Sequence, residues 1–492
     1  MAFTNSPTQD TYSTERVSLF REMAVRDGSV LGKDEDYLNV FVEPVKQSKV
    51  EDKRRFILKR GGTSSVVSSV AATAVRGMHF WADQSKLYYC VGRNIYVYNV
   101  NTAVSVTLTN AFASSTGAVG FCEFLYDNGT VKVCATDGTA VSGLITIDSS
   151  NTVATCADAD LPTHLPYPIF LDGYLFLARA NSAEIWNSLN NDPFSWDTTT
   201  FIGTEMEADL VLRIAKLNNY LVAFGKETIE YFWDAANASP DSPMQRNDTP
   251  VKINSYLGGL AVSGNALLYI GADANGQPDI FMLKDFKAEN IGTPSISRYL
   301  DSCTDGISNW KGNIVSIQGH TLYVVSAGTT KTFVYDIENN FWARWAFGSG
   351  STFDIAAATH TTTTNKVGTY FALNTTSSAI YKFDQTVYQD NGTSFTCLIT
   401  SENNDFGTMN RKRMHRLSLV GDRPASSANI SVSWSDDDYQ TFNTARTIDL
   451  NQDLPSCYQL GSFRQRIFKL SFTANAPMRL QDMEVDINKG TS

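Results

Sequence analysis

Seven times between about residue 85 and residue 385 the chain repeats one unit: an apolar strand, a short polar turn, then an aromatic strand. The copies read KLYYCVGRNIYVYN, TVKVCATDGTAVSGLITI, GYLFLARANSAEIWN, NYLVAFGKETIEYFW, ALLYIGADANGQPDIFML, TLYVVSAGTTKTFVYD and TYFALNTTSSAIYKF. They begin near Leu87, Val131, Tyr174, Tyr220, Leu267, Leu322 and Tyr370. A period of about 45 residues is that of a four-stranded propeller blade. A lone hairpin cannot bury its own apolar face, so units at this spacing must stack around a shared core. The expected fold is therefore all-β, a β-propeller of six or seven blades. Such a fold leans toward binding or assembly.

Composition agrees with a strand-rich chain. Of 492 residues, 42% are hydrophobic and 12% aromatic, but only 18% are charged, too few for a long-helix protein. The net charge of −11 gives a field that repels phosphate. The seven cysteines are widely spaced without a C-x-x-C pair, and most sit in apolar runs. They are expected to be buried thiols of a protein folded in a reducing cytoplasm. The opening residues carry no apolar signal segment, and no run reaches the length of a membrane span, so no membrane insertion is expected.

The repeat divides the chain into three. Residues 51–395 are assigned to the propeller. Residues 396–492 lose the period but hold at least five strand-like runs, which suggests a small β-sandwich or platform domain. Residues 1–50 are expected to pack with it. In that segment Ser13 and Thr14 are placed to cap a short helix with Val17, Phe20 and Ala24 on one face. Trp186, Trp196, Trp233, Trp342 and Trp345 fall late in the repeats and are read as blade packing. Two basic groups stand out near the end: Arg411, Lys412, Arg413 and Arg416, then Arg464, Arg466 and Lys469. They are read either as contacts to an acidic neighbouring subunit or as solvated strand ends.

Signatures of chemistry are sparse. There is no G-x-S-x-G, H-E-x-x-H, P-loop or G-x-G-x-x-G, and the five histidines lack metal-ligand spacing. The run SDDDYQTF, Ser435 to Phe442, approaches the Asp-box turn of sialidase propellers, with Tyr439 where glycine is expected. That box stabilises a turn and does no catalysis. Asp158 with Asp160, and Asp436 to Asp438, lack the spacing of a calcium loop and are read as turns. No catalytic residue, cofactor or metal is assigned.

One stretch carries a resemblance. LNNYLVAFGKETIEYFWDAANAS, with Phe224, Gly225, Thr228, Ile229, Glu230, Tyr231 and Phe232 at its centre, resembles the tail hub (nozzle), or packaged-DNA stabilisation, proteins of short-tailed phages. DYLNVFVEPV, RGMHFWADQSKLYYCVGRNIYVYN and GSFRQRIFKLSFTANAPMRLQDMEVDI are similar to the same family and keep its order. The resemblance implies a non-enzymatic structural virion protein of the tail, assembled in the host cytoplasm. It implies a homo-hexameric ring that docks on a tail adaptor protein, holds tail fibres or spikes and a plug or needle, and lets genomic DNA through its lumen without specific binding. The two basic groups are the candidate interface of that ring. Gly225 is expected at a turn with positive φ, and Ile229 and Tyr231 on one face of their strand. The competing readings are a glycan-binding propeller of a receptor-binding or fibre protein and, more remotely, a propeller glycosidase.

Overall fold

The computed structural model describes residues 13–19, 36–44, 55–207, 209–237, 241–248, 251–252, 255–273, 275–304, 306, 309–362 and 367–490. They are nearly all β, with one short helix, Pro294–Asp301. Among them no helix is long and apolar enough to cross a membrane. The chain divides into two compact units: residues 1–63, 333–352 and 384–492, and residues 64–332 with 353–383. These boundaries differ from those drawn by the period, since residues 333–352 and 384–395 leave the repeat unit and 51–63 never enter it.

The larger unit is a propeller. Its first blade is Val75–Trp81, Lys86–Val91, Asn94–Asn99 and Val104–Leu108. The second is Gly120–Leu125, Val131–Thr136, Leu144–Ile147 and Val153–Thr155; the third is Ile169–Leu171, Tyr174–Ala178, Glu184–Asn187 and Phe201–Gly203. The fourth runs through Arg213–Leu217, Tyr220–Phe224, Thr228–Asp234 and Met244–Arg246, and the fifth through Ser255–Ser263, Ala266–Ala272, Pro278–Lys284 and Lys287–Asn290. The hairpin Lys311–Ile317 and His320–Ser326 follows, then Ile355–Thr361, Gly368–Leu373 and Ile380–Asp384. First strands of successive sheets pack side by side, the fourth and fifth sheets meet through a shared core, and Ile355–Thr361 returns to Val75–Trp81, so the ring closes.

The repeated hairpins are the two middle strands of these blades. Tyr220–Phe224 and Ala266–Ala272 are buried almost throughout, because neighbouring sheets cover both faces. Strands covered on both faces read as continuous apolar runs. The cores sit between sheets. One joins the first and second blades through Tyr88, Val97, Val133 and Ile147, and another joins the fourth and fifth through Val222, Tyr231 and Tyr269. Ring closure buries Tyr89, Tyr370 and Ile380 together. It is fastened by Ser378, whose hydroxyl accepts the N–H groups of Val70 and Ala71, both at 3.0 Å. The turns follow local chemistry: Asn128 Oδ1 accepts the Thr130 N–H at 2.9 Å, and Gly129 takes φ 80°.

The smaller unit is a sandwich of two sheets. One holds, in spatial order, Val40–Pro44, Arg55–Lys59, Arg479–Lys489, Lys412–Gly421 and Ser456–Tyr458. The other includes Phe341–Trp345, Asp36–Leu38, Cys397–Thr400, Ile467–Phe472, Asn429–Ser435 and Arg446–Asp449. A single core lies between them, with Val42, Ile57, Met483 and Val485 on one side and Ile399, Val432, Phe468 and Leu470 on the other.

The helix expected from Ser13 is instead a strand, Ser13–Ser18, antiparallel to Arg479–Lys489. Thr14 caps nothing; its hydroxyl donates to Asp486 Oδ1 at 2.8 Å, and Val17 enters the core. An open strand edge satisfies every second backbone group, which outweighs a weak helical pattern. Phe20 and Ala24 lie outside the described residues.

One buried ion pair gathers the three segments of the sandwich unit. Arg60 and Asp390 side chains are both fully inaccessible and meet at 2.5 Å (Nη2 to Oδ2) and 2.9 Å (Nη1 to Oδ1). Arg60 also donates to the Ala346 carbonyl at 2.8 Å and to Asn39 Oδ1 at 3.1 Å. Asp390 accepts the Gly348 N–H at 2.8 Å and the Thr63 hydroxyl at 3.2 Å. Phe395 covers the guanidinium at 3.9 Å. Removing one partner of such a pair strands a buried charge. Arg60→Met should therefore lower stability by about 3–5 kcal/mol, read from denaturant unfolding. A loss below about 1 kcal/mol would show that the pair is not what joins these segments.

Candidate functional site: the motif hairpin and the basic strands

The stretch that carries the resemblance forms the middle of the fourth blade. Phe224 ends one strand and Thr228 begins the next, with Phe224 opposite Ile229 and Val222 opposite Tyr231. Ile229 and Tyr231 face the fifth blade, whereas Phe232 faces the third. The turn between is built by Asp209. Its carboxylate accepts the N–H groups of Lys226 at 2.6 Å, Glu227 at 2.7 Å and Thr228 at 3.2 Å. Gly225 is not among the residues with positive φ, contrary to expectation. It is glycine for another reason: a Cβ there would stand 2.1 Å from Asp209 Oδ2.

Glu230 is buried, 1% exposed. Oε1 accepts the Met206 N–H at 3.3 Å, and Arg246 lies 3.7 Å from Oε2. Burial pushes its carboxyl above the usual range, against the pull of these partners. Asp209, Met206 and Arg246 have no local signal linking them to the motif, so sequence reasoning missed them. The hairpin is thus a structural unit, with its donors and acceptors turned inward.

Three charged or titratable side chains of the innermost strands are also engaged. Arg76 donates to the carbonyls of Gly92 and Thr116 at 2.6 Å, Gly117 at 2.7 Å and Ser114 at 2.9 Å. His79 reaches Glu123 across the first two blades at 3.1 Å, and Lys216 reaches the Phe170 carbonyl at 3.4 Å. His164 is a buried fastener. Its Nδ1 lies 2.8 Å from the Pro162 carbonyl and must donate there, so Nε2 accepts from the Thr136 hydroxyl at 2.6 Å. Burial lowers its pKa.

The basic groups divide. Lys412 is 1% exposed; its ammonium donates to the carbonyls of Thr408 and Asn410, and burial lowers its pKa. Arg466 is 1% exposed and forms a two-pronged pair with Asp436, both bonds 2.7 Å. Arg416 bonds Asp486 at 2.7 Å and Glu484 at 3.0 Å. Lys469 lies over the Phe442 ring at 5.0 Å. Arg411, Arg413 and Arg464 are exposed, with Arg464 donating to the Met409 carbonyl at 2.8 Å.

The SDDDYQTF run is a closed turn. Asp437 accepts from the Thr441 N–H at 2.9 Å and the Ser435 hydroxyl at 2.7 Å. Bonds from Thr441 and Ser435 hold its pKa down at about 2. Asp158 similarly accepts the N–H groups of Asp160 at 3.0 Å and Trp196 at 2.8 Å. Among the described residues no cluster of His, Cys, Asp and Glu is placed to hold a metal ion. Trp186 and Trp196 are buried, but Trp233, expected inside its blade, is 41% exposed. It lies opposite Tyr220 and Gln245 on the flanking strands, where the blade surface ends.

The larger unit is a β-propeller, and the motif residues build the hairpin of its fourth blade. The chain belongs to the phage stabilisation family, described as Bacteriophage P22 Gp10, beta-propeller, whose model matches residues 28–388. No curated protein matches it. Among solved structures, it is similar to the N-terminal domain of Nup159 at 12% identity and a TM-score of 0.41, covering 70% of this chain and 99% of that one. It is also similar to the Pan2 WD40 domain of Neurospora crassa at 9% identity and a TM-score of 0.41, covering 66% and 95%.

Two outcomes test this local account. Gly225→Ala should destabilise by about 1–3 kcal/mol through collision with Asp209. In an Asp209→Gly background the same change should cost at least about 1 kcal/mol less; equal costs in both backgrounds would dissociate the pair. For His164 the folded pKa lies below the unfolded value near 6.5. Its contribution is present above pH 6.5 and is lost as pH falls through the folded pKa. Between pH 7 and pH 5 the melting temperature should fall less steeply in His164→Gln than in the parent; parallel curves would remove His164 from the account.

Proposed function

We propose that this protein forms the tail hub, or nozzle, of a short-tailed phage: a homo-hexameric ring below the tail adaptor that extends the ejection channel. In this role it retains packaged DNA and docks fibres or spikes outside and a plug or needle below. It acts in the virion tail after assembly in the host cytoplasm, and it catalyses nothing. The observation that carries the reading is the family match across residues 28–388. Electrostatics support it. The net charge of −11 disfavours phosphate.

The candidate interface narrows accordingly. Lys412 and Arg466 are committed to the interior, Arg416 to Asp486 and Glu484, and Lys469 lies over the Phe442 ring, which leaves Arg411, Arg413 and Arg464 for an acidic neighbour. Electron micrographs of the purified protein mixed with its adaptor should show sixfold rings. Joint reversal of Arg411, Arg413 and Arg464 to Glu should weaken ring assembly, and more so at low salt. No duplex binding should appear at about 0.15 M salt, the physiological ionic strength. A monomer that binds glycans through Trp233, or that hydrolyses them, would overturn the proposal in favour of a receptor-binding propeller.

A further inference from the structure

Two of the seven cysteines face each other. Cys122 on Gly120–Leu125 and Cys134 on Val131–Thr136 are register partners across the first hairpin of the second blade. Directly opposed residues point to the same face of a sheet, so the two side chains are neighbours there. Cys134 is inaccessible; Cys122 is half-buried and lies at the margin of the core shared with the third blade. The third sulfur of that core, Cys156, is directed elsewhere, toward the Phe194 carbonyl at 3.6 Å.

We propose that Cys122 and Cys134 form a redox modification site, closing to a reversible cross-strand disulfide when the protein meets a low-molecular-weight disulfide of the glutathione class. The geometry favours reversibility. The Tyr126 N–H donates to the Thr130 carbonyl at 2.9 Å, and alternation from there makes Cys122 and Cys134 a hydrogen-bonded pair. Opposed Cβ atoms stand about 4.5–5.5 Å apart, whereas a disulfide asks for about 3.5–4.5 Å. Closing the bond draws the strands together, and a bond held under such tension is readily reduced.

The exchange balances. The Cys122 thiolate attacks one sulfur of glutathione disulfide, breaking its S–S bond and releasing one glutathione. Cys134, deprotonated, then attacks the Cys122 sulfur and releases the second. Two protein thiols are oxidised, one glutathione disulfide is reduced, and the two protons leave on the two glutathione thiols. The neighbouring Cys134 thiol and burial push the Cys122 thiol up. The first step is therefore slow at neutral pH and quickens as pH rises.

The test treats the full-length protein with glutathione disulfide at pH 7 and pH 9 and reads intact mass and trypsin peptides. Residues 94–132 and 133–179 are separate tryptic peptides, holding Cys122 and Cys134 respectively. The expected result is a loss of two hydrogens and a cross-link between these peptides that persists in Cys156→Ser, forms faster at pH 9 and reverses with millimolar dithiothreitol. Cys134→Ser should instead accumulate a glutathione adduct on Cys122. A link that disappears in Cys156→Ser, an adduct on Cys122 in the parent that never resolves, or a parent in which both thiols stay reduced would each overturn the proposal.

Discussion

The Arg60–Asp390 pair is the constraint on which the sandwich unit depends. It joins residues 330 positions apart and touches a third segment through the Ala346 carbonyl and the Gly348 N–H. Burying two charges is unfavourable unless every lone pair and proton is met. Here Asn39, Thr63 and Phe395 complete the surroundings. Asn39 extends the arrangement, accepting the Ala346 N–H at 2.9 Å and donating to the Thr396 carbonyl at 2.8 Å. Lys59, the preceding residue, is buried over Phe395 and Phe472, with its pKa lowered to about 8 by desolvation. Apolar packing would tolerate several registers of these strands; a fork of charge tolerates one.

How much of this was legible follows from distance along the chain. The hairpins of the repeat were readable because the middle strands are covered on both faces, so Leu221, Val222 and Ala223 all had to be apolar. Turns such as that at Asn128 and Gly129 were readable because their bonds close within a few residues. The Arg60–Asp390 pair and the Asp209 turn were not, because the partners are remote and each residue alone looks like an ordinary surface charge. Lys412 and Arg466 misled for the same reason: a basic run says nothing of whether a carbonyl or an aspartate waits to receive it. Ser13–Ser18 misled because a short segment offers too few residues to separate a period of two from one of 3.6.

The family motif is a part of the architecture. Glu230, Asp209 and Gly225 hold one blade's hairpin in shape, and Ile229 and Tyr231 lock it against the next. The same economy holds along the inner strands, where Arg76 and Lys216 are bound to backbone carbonyls.

The most direct measurement of the central claim is the copy number of this protein in purified virions, obtained by quantitative mass spectrometry against the portal protein and paired with antibody labelling of intact particles. The account predicts six copies per particle, with label confined to the tail. Absence from virions, or label spread over the capsid, would contradict it.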